Sequence, residues 1–361
     1  MEESLHPPAR KGRGAVTNAT GRYEPEQRVA FDDGWGTADE EPPRLDTTYT
    51  RDSARSIIAR NDSPDIPFDR SINPYRGCEH GCVYCFARPT HAYLGLSPGL
   101  DFESRIFVKP EAPELLRAEL AKPSYACAPM ALGTNTDPYQ PIERKLGITR
   151  GILEVLREHR HPVSVVTKSA LVQRDIDILA EMAQQRLASV AVSLTTLDRR
   201  LARALEPRAA TPERRLETME ALSRAGIPVA VMTAPMIPAL NDAELERLLE
   251  AAHERGARYA GYVLLRLPLE LVSLFEEWLA THAPGKARHV MSLIKQSRDG
   301  KAYRAEWGTR MSGTGAYAEL LRLRFQKACR RLGFNQRREA FGLDTTQFRR
   351  PPQKGDQLAL F

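Results

Sequence analysis

The sequence predicts an α/β protein built on a partial (β/α)6 barrel of the TIM type, with an irregular N-terminal extension and a basic helical C-terminal region. Three observations predict it. From about residue 66, short apolar runs alternate with helical segments through about six units. The apolar runs are continuous rather than alternating, as in strands of a parallel sheet buried on both faces. Each run ends in small polar residues, where parallel α/β barrels carry their working groups. A doubly wound sheet would show the same alternation. No Gly-x-Gly-x-x-Gly follows the first strand, so a dinucleotide-binding version is disfavoured.

Residues 1–65 form the extension. Charges, glycines and prolines dominate it, and no period of 2 or 3.6 is sustained. Tyr23 and Trp35 are its candidate anchors, and the basic run at residues 10–13 reads as a solvated tail sooner than a phosphate contact. The core spans residues 66–284. Residues 71–75 lead into a cysteine-rich loop, and residues 86–94 can form a helix after it. Residues 105–108 read as a strand and 110–121 as a helix with Pro near its start. Strands follow at 128–133, 163–168, 189–194, 229–232 and 259–265. Helices fall at 148–158, 171–185, 211–225, 241–255 and 269–279. Thr149, Thr211 and the pair Asn241-Asp242 are candidate N-caps, and Gly226 and Gly256 candidate stops.

Residues 285–338 are helical and basic, and residues 339–361 are a tail. Within residues 285–338, fourteen Lys and Arg stand against Asp299, Glu306 and Glu319, a net of +11, which leaves −5 for the rest of the chain. Tyr317, Leu320, Leu321, Phe325, Ala328 and Leu332 make an apolar stripe on a helix closed by Gly333. The charges read either as a solvated helix face or as a phosphate-tracking surface with Tyr303 and Trp307 available for stacking.

Composition excludes several classes. With 42% apolar and 27% charged residues in 361, the chain can bury a full core. The net charge of +6 mildly favours a polyanionic partner. Five unevenly spread cysteines make no disulfide framework, which points to a reducing compartment, the cytoplasm. The first residues start no signal peptide. The longest apolar run, at 227–240, is broken by Pro228, Pro235 and Pro238 and is too short to span a membrane.

Chemistry concentrates in Gly77-Cys78-Glu79-His80-Gly81-Cys82-Val83-Tyr84-Cys85-Phe86. Three of the five cysteines lie there, spaced C-x3-C-x2-C. A free cysteine is usually a small buried hydrophobe, but that reading suits isolated thiols in periodic segments. Thiolates are soft donors for zinc or iron–sulfur clusters. Zinc would need a fourth ligand, His80 or His91. A four-iron cubane held by three thiolates would leave one iron open to a small molecule.

This loop, followed by βα units, resembles the radical S-adenosylmethionine superfamily. The resemblance implies a [4Fe-4S] cluster on Cys78, Cys82 and Cys85, with S-adenosylmethionine on the vacant iron. One-electron cleavage then gives a 5′-deoxyadenosyl radical that abstracts hydrogen from substrate. Asn135-Thr136-Asp137, Val166-Thr167-Lys168, Val192-Ser193, Leu205-Glu206-Pro207 and Thr233-Ala234-Pro235 are similar to the spore-photoproduct-lyase-like branch, whose members are often labelled DNA repair photolyases, over about residues 70–270. The resemblance implies Tyr84 and Phe86 on the adenine side, Asn135 on the methionyl amino group and Lys168 on the methionyl carboxylate. It further implies Ser193 on the ribose and the Ala234 backbone on adenine. It also implies a one-electron donor such as flavodoxin or ferredoxin. Spore photoproduct lyase returns hydrogen from a cysteine at the end of the strand that matches Leu132-Gly133-Thr134. Thr134 stands at that position, and Cys127 lies near the strand's start, so the substrate is left open. Cys127 and Cys329 are too few for a second three-cysteine cluster.

The chain ends in Gln357-Leu358-Ala359-Leu360-Phe361 after a Pro/Gly/Lys-rich stretch. This resembles the peptide by which bacterial replication and repair proteins dock on the sliding clamp, with Gln357, Leu358, Leu360 and Phe361 as anchors. The functional expectation is a radical enzyme acting on nucleic acid in DNA repair or modification. Its rivals are a radical enzyme acting on a small molecule or protein, and a zinc-stabilised nucleic-acid-binding protein without catalysis.

Overall fold

The structure is a computed structural model that describes residues 10–28, 44–336 and 342–351. Ten strands follow in chain order: β1 (Thr48–Arg51), β2 (Ile58–Arg60), β3 (Arg70–Ile72), β4 (Tyr75–Arg76), β5 (Arg105–Val108), β6 (Met130–Leu132), β7 (Val163–Thr167), β8 (Ala188–Ser193), β9 (Val229–Met236) and β10 (Tyr259–Leu264). One sheet has the order β10-β9-β8-β7-β6-β3-β2. Its strands β3 and β6 to β10 pair in parallel, six in all, and β2 closes the β3 edge antiparallel. These six strands with their crossover helices form the open barrel that the alternation predicts, but its first strand is β3, in the stretch that reads as a lead-in to the cysteine loop.

Strands β6 to β10 form at short runs of mostly apolar and small residues. Every residue of β8, Ala-Ser-Val-Ala-Val-Ser, is buried, as a central parallel strand requires. The crossover helices lay one apolar face on the sheet. In the helix Ile148–Glu158 that face is Ile148, Ile152, Leu153, Val155 and Leu156. Thr211 Oγ1 caps the helix Pro212–Arg224 at the Arg214 N–H, 3.4 Å away. Two other expected caps differ. Thr149 lies inside its helix and donates to the Pro138 carbonyl at 2.6 Å, because Gly147 takes the cap position. Asn241 instead ties a turn. Its Oδ1 accepts from Ile237 N at 2.6 Å, and its Nδ2 donates to the Thr195 and Pro235 carbonyls.

Residues 105–108 are a strand, but not of the barrel. β5 belongs to a second sheet of order β1-β5-β4, which flanks the cysteine loop. The extension is also less irregular than its composition suggests, since it supplies β1 and β2. Both use edges that other strands leave open: β1 runs parallel to β5, and β2 runs antiparallel to β3. Such short pairings carry little periodicity. The basic run is not a solvated tail at its far end. Arg13, Ala15 and Val16 are buried, and Arg13 donates to the Glu103 and Leu45 carbonyls. Trp35 lies outside the described residues.

After the barrel come the helices Leu271–His282, Ala287–Gln296 and Gly315–Leu332. The last buries Ala318, Leu321, Phe325, Ala328 and Cys329. Asn335 exchanges two hydrogen bonds of 3.0 Å with the Ala260 backbone and so occupies the free edge of β10. Much of the basic character here is satisfied internally. Arg310 pairs with Asp65, Arg324 with Glu246, Arg331 with Glu250, and Arg304 with Asp299 and Glu306. Among the described residues, no helix is long and apolar enough to cross a membrane.

Candidate active site

The cysteine loop has no regular secondary structure to satisfy its backbone, so side chains and neighbouring segments do so. Cys78 N donates to the Phe102 carbonyl at 2.9 Å, and Val83 N to the Leu205 carbonyl at 3.0 Å. Arg88 is fully buried and uses its whole guanidinium. Nε donates to the Cys82 carbonyl, Nη1 to the Pro98 and Gly99 carbonyls, and Nη2 to the Gly81 carbonyl and Glu103 Oε1, all within 3.1 Å. Glu103 is itself fully buried. It accepts from the backbone N–H groups of Gly14 and Ala15, each at 2.9 Å. The N-terminal segment is thereby sealed against the loop. Contact is so close that a Cβ on Gly14 would overlap the Gly81 carbonyl oxygen.

The two polar residues between the first cysteines are also held. Glu79 is buried. Its carboxylate accepts from Tyr49 Oη at 3.0 Å and lies 3.4 Å from Arg208, and its N–H donates to Gln140 Oε1 at 3.0 Å. His80 Nδ1 lies 3.3 Å from Asp137 Oδ2. Asp137 further accepts from Thr167 Oγ1, Lys168 N and Tyr139 N, at 2.7, 2.7 and 2.9 Å. Burial opposes its charge, yet the His80 partner and these donors hold its carboxyl down at about 2.

Cys78 and Cys82 are buried and Cys85 is half-buried, all three as free thiols. Burial is the main force pushing each thiol upward. At Cys78, Asp137 and the other two thiols add to it. At Cys82, Glu206 adds to it while the Lys168 ammonium opposes. Against burial, the Asp137 N–H lowers the Cys78 thiol, and the N–H groups of Ala87 and Arg88 lower the Cys85 thiol. Such donors stabilise sulfur once a metal has displaced the thiol proton. Among the described residues, no three His, Cys, Asp or Glu side chains converge as one ion requires. The zinc reading also lacks its fourth ligand, since His80 faces Asp137 and His91 Nε2 lies 3.0 Å from the Arg105 carbonyl oxygen. A cubane asks for one thiolate per iron, and three mutually interacting thiols with N–H donors fit that demand.

The other predicted residues sit around this loop at the carboxyl ends of the barrel strands. The Lys168 ammonium follows β7, lies 5.8 Å from the Tyr84 ring centroid and acts on both Cys82 and Cys85. Asn135 follows β6 and is exposed, and its N–H donates to Asn73 Oδ1 at 3.0 Å. Ser193 ends β8 and is buried, with its carbonyl bound by Arg215 at 3.0 Å. Ala234 lies in β9, and its carbonyl accepts from Thr195 Oγ1 at 3.2 Å. Phe86 is 44% exposed and carries the Arg266 guanidinium 5.2 Å from its ring centroid. Thr134 Oγ1 is taken up by Asn73. Cys127 precedes β6 at its amino end, away from the mouth.

Sequence reasoning gave no role to several supports. Tyr84 Oη donates to Glu206, which is buried with Arg215 as its ion partner and also accepts from Thr195 Oγ1 at 2.7 Å. A signal existed. Arg215 shares the spacing of the buried residues Thr218, Met219 and Leu222, so it occupies the core face of its helix. Asn73 had no comparable signal, because its role is to collect N–H groups from a loop some sixty residues away.

Comparison with known proteins agrees with this geometry. The family model described as the radical SAM superfamily matches residues 72–252. The chain belongs to the radical SAM superfamily, and its cofactors are a [4Fe-4S] cluster and S-adenosylmethionine. Within that superfamily, its fold is the one seen in spore photoproduct lyase. The lyase complexed with dinucleoside spore photoproduct superimposes with a TM-score of 0.58 at 15% identity, covering 79% of this chain and 80% of that one. A doubly substituted variant of the lyase, with bound AdoMet and the same dinucleoside, gives 0.56 at 13% identity, with the same coverage. In sequence, uncharacterized protein Rv2578c of Mycobacterium tuberculosis is 42% identical over 233 residues, 64% of this chain and 68% of that protein. Uncharacterized protein MJ0683 of Methanocaldococcus jannaschii is 30% identical over 175 residues, 48% of this chain and 62% of that protein.

Proposed function

We propose that this radical SAM enzyme acts on nucleic acid, in repair or modification. The observation that supports this reading best is the rim of the barrel mouth. Phe86, next to Cys85, and Trp307, in the segment bonded to the end of β10, are 44% and 55% exposed, and Arg266 lies between the loop and that strand. Exposed rings interleaved with arginine suit unstacked bases and their backbone. The fold relative crystallised with a dinucleoside photoproduct supports it further.

In this reading Cys78, Cys82 and Cys85 hold the cluster. The cluster and S-adenosylmethionine, once bound, supply a 5′-deoxyadenosyl radical for hydrogen abstraction. Lys168 binds the methionyl carboxylate and Asn135 the amino group. Ser193 meets the ribose, and Tyr84, Phe86 and the Ala234 backbone bound the adenine. Glu206 and Arg215 hold Tyr84 still. Electrons come from a small carrier such as flavodoxin or ferredoxin, in the cytoplasm. Thr134 has no thiol to return hydrogen, so the thymine photoproduct reaction itself is not assigned.

The test is anaerobic cofactor cleavage with dithionite, with and without single-stranded, ultraviolet-damaged or base-modified DNA and RNA. 5′-Deoxyadenosine formation that rises with one nucleic acid, and carries deuterium from it, supports the reading. Formation indifferent to every nucleic acid defeats it. The pentapeptide at 357–361 lies outside the described residues. We propose that it docks on the bacterial sliding clamp, and deleting it should abolish binding to purified clamp.

A further inference from the structure

Arginines normally leave the solvent only with an acid partner. Two at the barrel mouth lack one, Arg298 fully buried and Arg266 partly so. Arg266 stands two residues beyond β10, on the same side as the cysteine loop. Its guanidinium lies over Phe86, and Nη1 approaches Met311 Sδ at 3.3 Å. Its Nε is buried without a hydrogen-bond partner, and no ion pair of Arg266 occurs among the described residues. Arg298 is 1% exposed. It donates to the carbonyls of Thr309, Arg310, Leu264 and Leu265, which hold it rigidly but offer no counter-charge. Its Nε is likewise buried and unpartnered. Burial first, and the charge of Arg266 second, lower its pKa to about 10. Asp65 is near enough to respond to Arg266, but its two oxygens are already taken by Gly308 N and Arg310.

Arg266, resting on an aromatic ring beside the cysteine loop, therefore lies at the mouth with the immobilised Arg298 buried behind it, and neither has an anion partner among the described residues. We propose that Arg266, backed by Arg298, is a phosphate-binding subsite that seats a backbone phosphodiester of the substrate beside the reacting nucleotide. The planar fork of Arg266 suits two phosphate oxygens, and Arg298 supplies fixed positive potential behind it. The identity of the phosphate as a phosphodiester rests on the nucleic-acid reading above. The subsite itself rests only on the two unpaired guanidinia.

Two measurements on the cluster-loaded enzyme test it. The first is the salt dependence of affinity for a fluorescent single-stranded oligonucleotide, for wild type, Arg266→Gln, Arg266→Lys and Lys122→Gln. Lys122 is exposed at the opposite end of the barrel and controls for general charge. Loss of one phosphate contact should lower the slope of log K against log salt by about 0.7. Arg266→Gln should show that loss and bind about tenfold more weakly at low salt. Arg266→Lys should keep the slope, and Lys122→Gln should behave as wild type. The second uses wild type alone, so it stands even if a variant misfolds: phenylglyoxal labelling of Arg266, read by mass spectrometry, should slow with oligonucleotide and with inorganic phosphate. Oligonucleotide binding with an unchanged slope and no protection of Arg266 overturns the subsite and leaves the nucleic-acid reading intact. If no oligonucleotide binds, that reading fails. Protection by inorganic phosphate then upholds the subsite for a smaller phosphorylated substrate. Equal protection by acetate, or none by phosphate, overturns it.

Discussion

Arg88→Met removes one buried guanidinium and preserves roughly its length. The Gly81, Cys82, Pro98 and Gly99 carbonyls lose their donor, and Glu103 loses its ion partner. Glu103 keeps the Gly14 and Ala15 N–H groups, which soften the loss without cancelling a buried charge. Breaking a buried pair from one side typically costs about 3–5 kcal/mol. For a chain of this size, each kcal/mol moves the melting midpoint by about 2 °C, so a fall of roughly 6–10 °C is expected. In the loop the damage centres on the Gly81 and Cys82 carbonyls, so cluster retention should suffer more than the fold. The assay is iron and acid-labile sulfide per chain after anaerobic reconstitution, beside a thermal melt. Arg88→Met/Glu103→Leu should recover part of the midpoint, because no orphan charge remains, yet should not recover the iron. Full iron and sulfide in Arg88→Met, with a midpoint within about 2 °C of wild type, would refute the reasoning.

Three further outcomes follow from the same contacts. Glu206→Leu strands Arg215 in the core and frees Tyr84, so it should lose about 3–5 kcal/mol and raise KM for S-adenosylmethionine in the uncoupled cleavage assay. An unchanged KM would remove Tyr84 from the cofactor site. His161 is fully buried, accepting from Tyr125 Oη at Nε2 and facing the Pro162 carbonyl at Nδ1. Burial first lowers its pKa to about 4, so between pH 6.5 and 4 the unfolded chain binds the proton and the folded one does not. Stability should therefore fall as pH drops through that window, by on the order of 3 kcal/mol from this group, and His161→Gln should flatten the urea midpoint against pH. With iron removed, Cys78 and Cys82 should resist iodoacetamide at pH 8 until urea is added, because burial keeps them as thiols. Rapid alkylation of both in the folded apoprotein would contradict that.

Most of the barrel was legible because β6 to β10 fall in largely apolar runs and its crossover helices carry 3.6-residue periodicity, whereas β3, Arg70-Ser71-Ile72, has no such run and reads as a lead-in to the loop. Cys78, Cys82 and Cys85 were legible because spacing alone marks them. What was not legible shares one physical feature: it depends on contacts distant in sequence and made by ordinary residues. Glu103 meets Gly14 across 89 positions, Tyr49 meets Glu79 across 30, and Asn73 meets Thr136 across 63. None of these leaves a local period. The basic C-terminal region was legible as charge but not as wiring. Arg310, Arg324 and Arg331 pair with Asp65, Glu246 and Glu250, while Arg298 is buried among carbonyls. Net charge over a segment cannot separate those roles.

Buried charge around the cysteine loop has a common cause. The C-x3-C-x2-C segment is neither helix nor strand, so apart from the turn bonds of Gly81 N to the Cys78 carbonyl and Cys85 N to the Cys82 carbonyl its backbone groups find few partners within it. Water could supply them, but the three thiols are at most half exposed. Side chains must act instead, and few can act at several points at once. Arg88 serves three segments from a single position, and Gln140 serves both Gly77 and Glu79. Arg215 serves Ser193, Ala210 and Glu206. An arginine so placed needs a counter-charge, which is why Glu103 and Glu206 are buried with Arg88 and Arg215. The same logic isolates Arg266 and Arg298. Within this set they are the guanidinia at the mouth with no counter-charge among the described residues, the feature on which the proposed phosphate subsite rests.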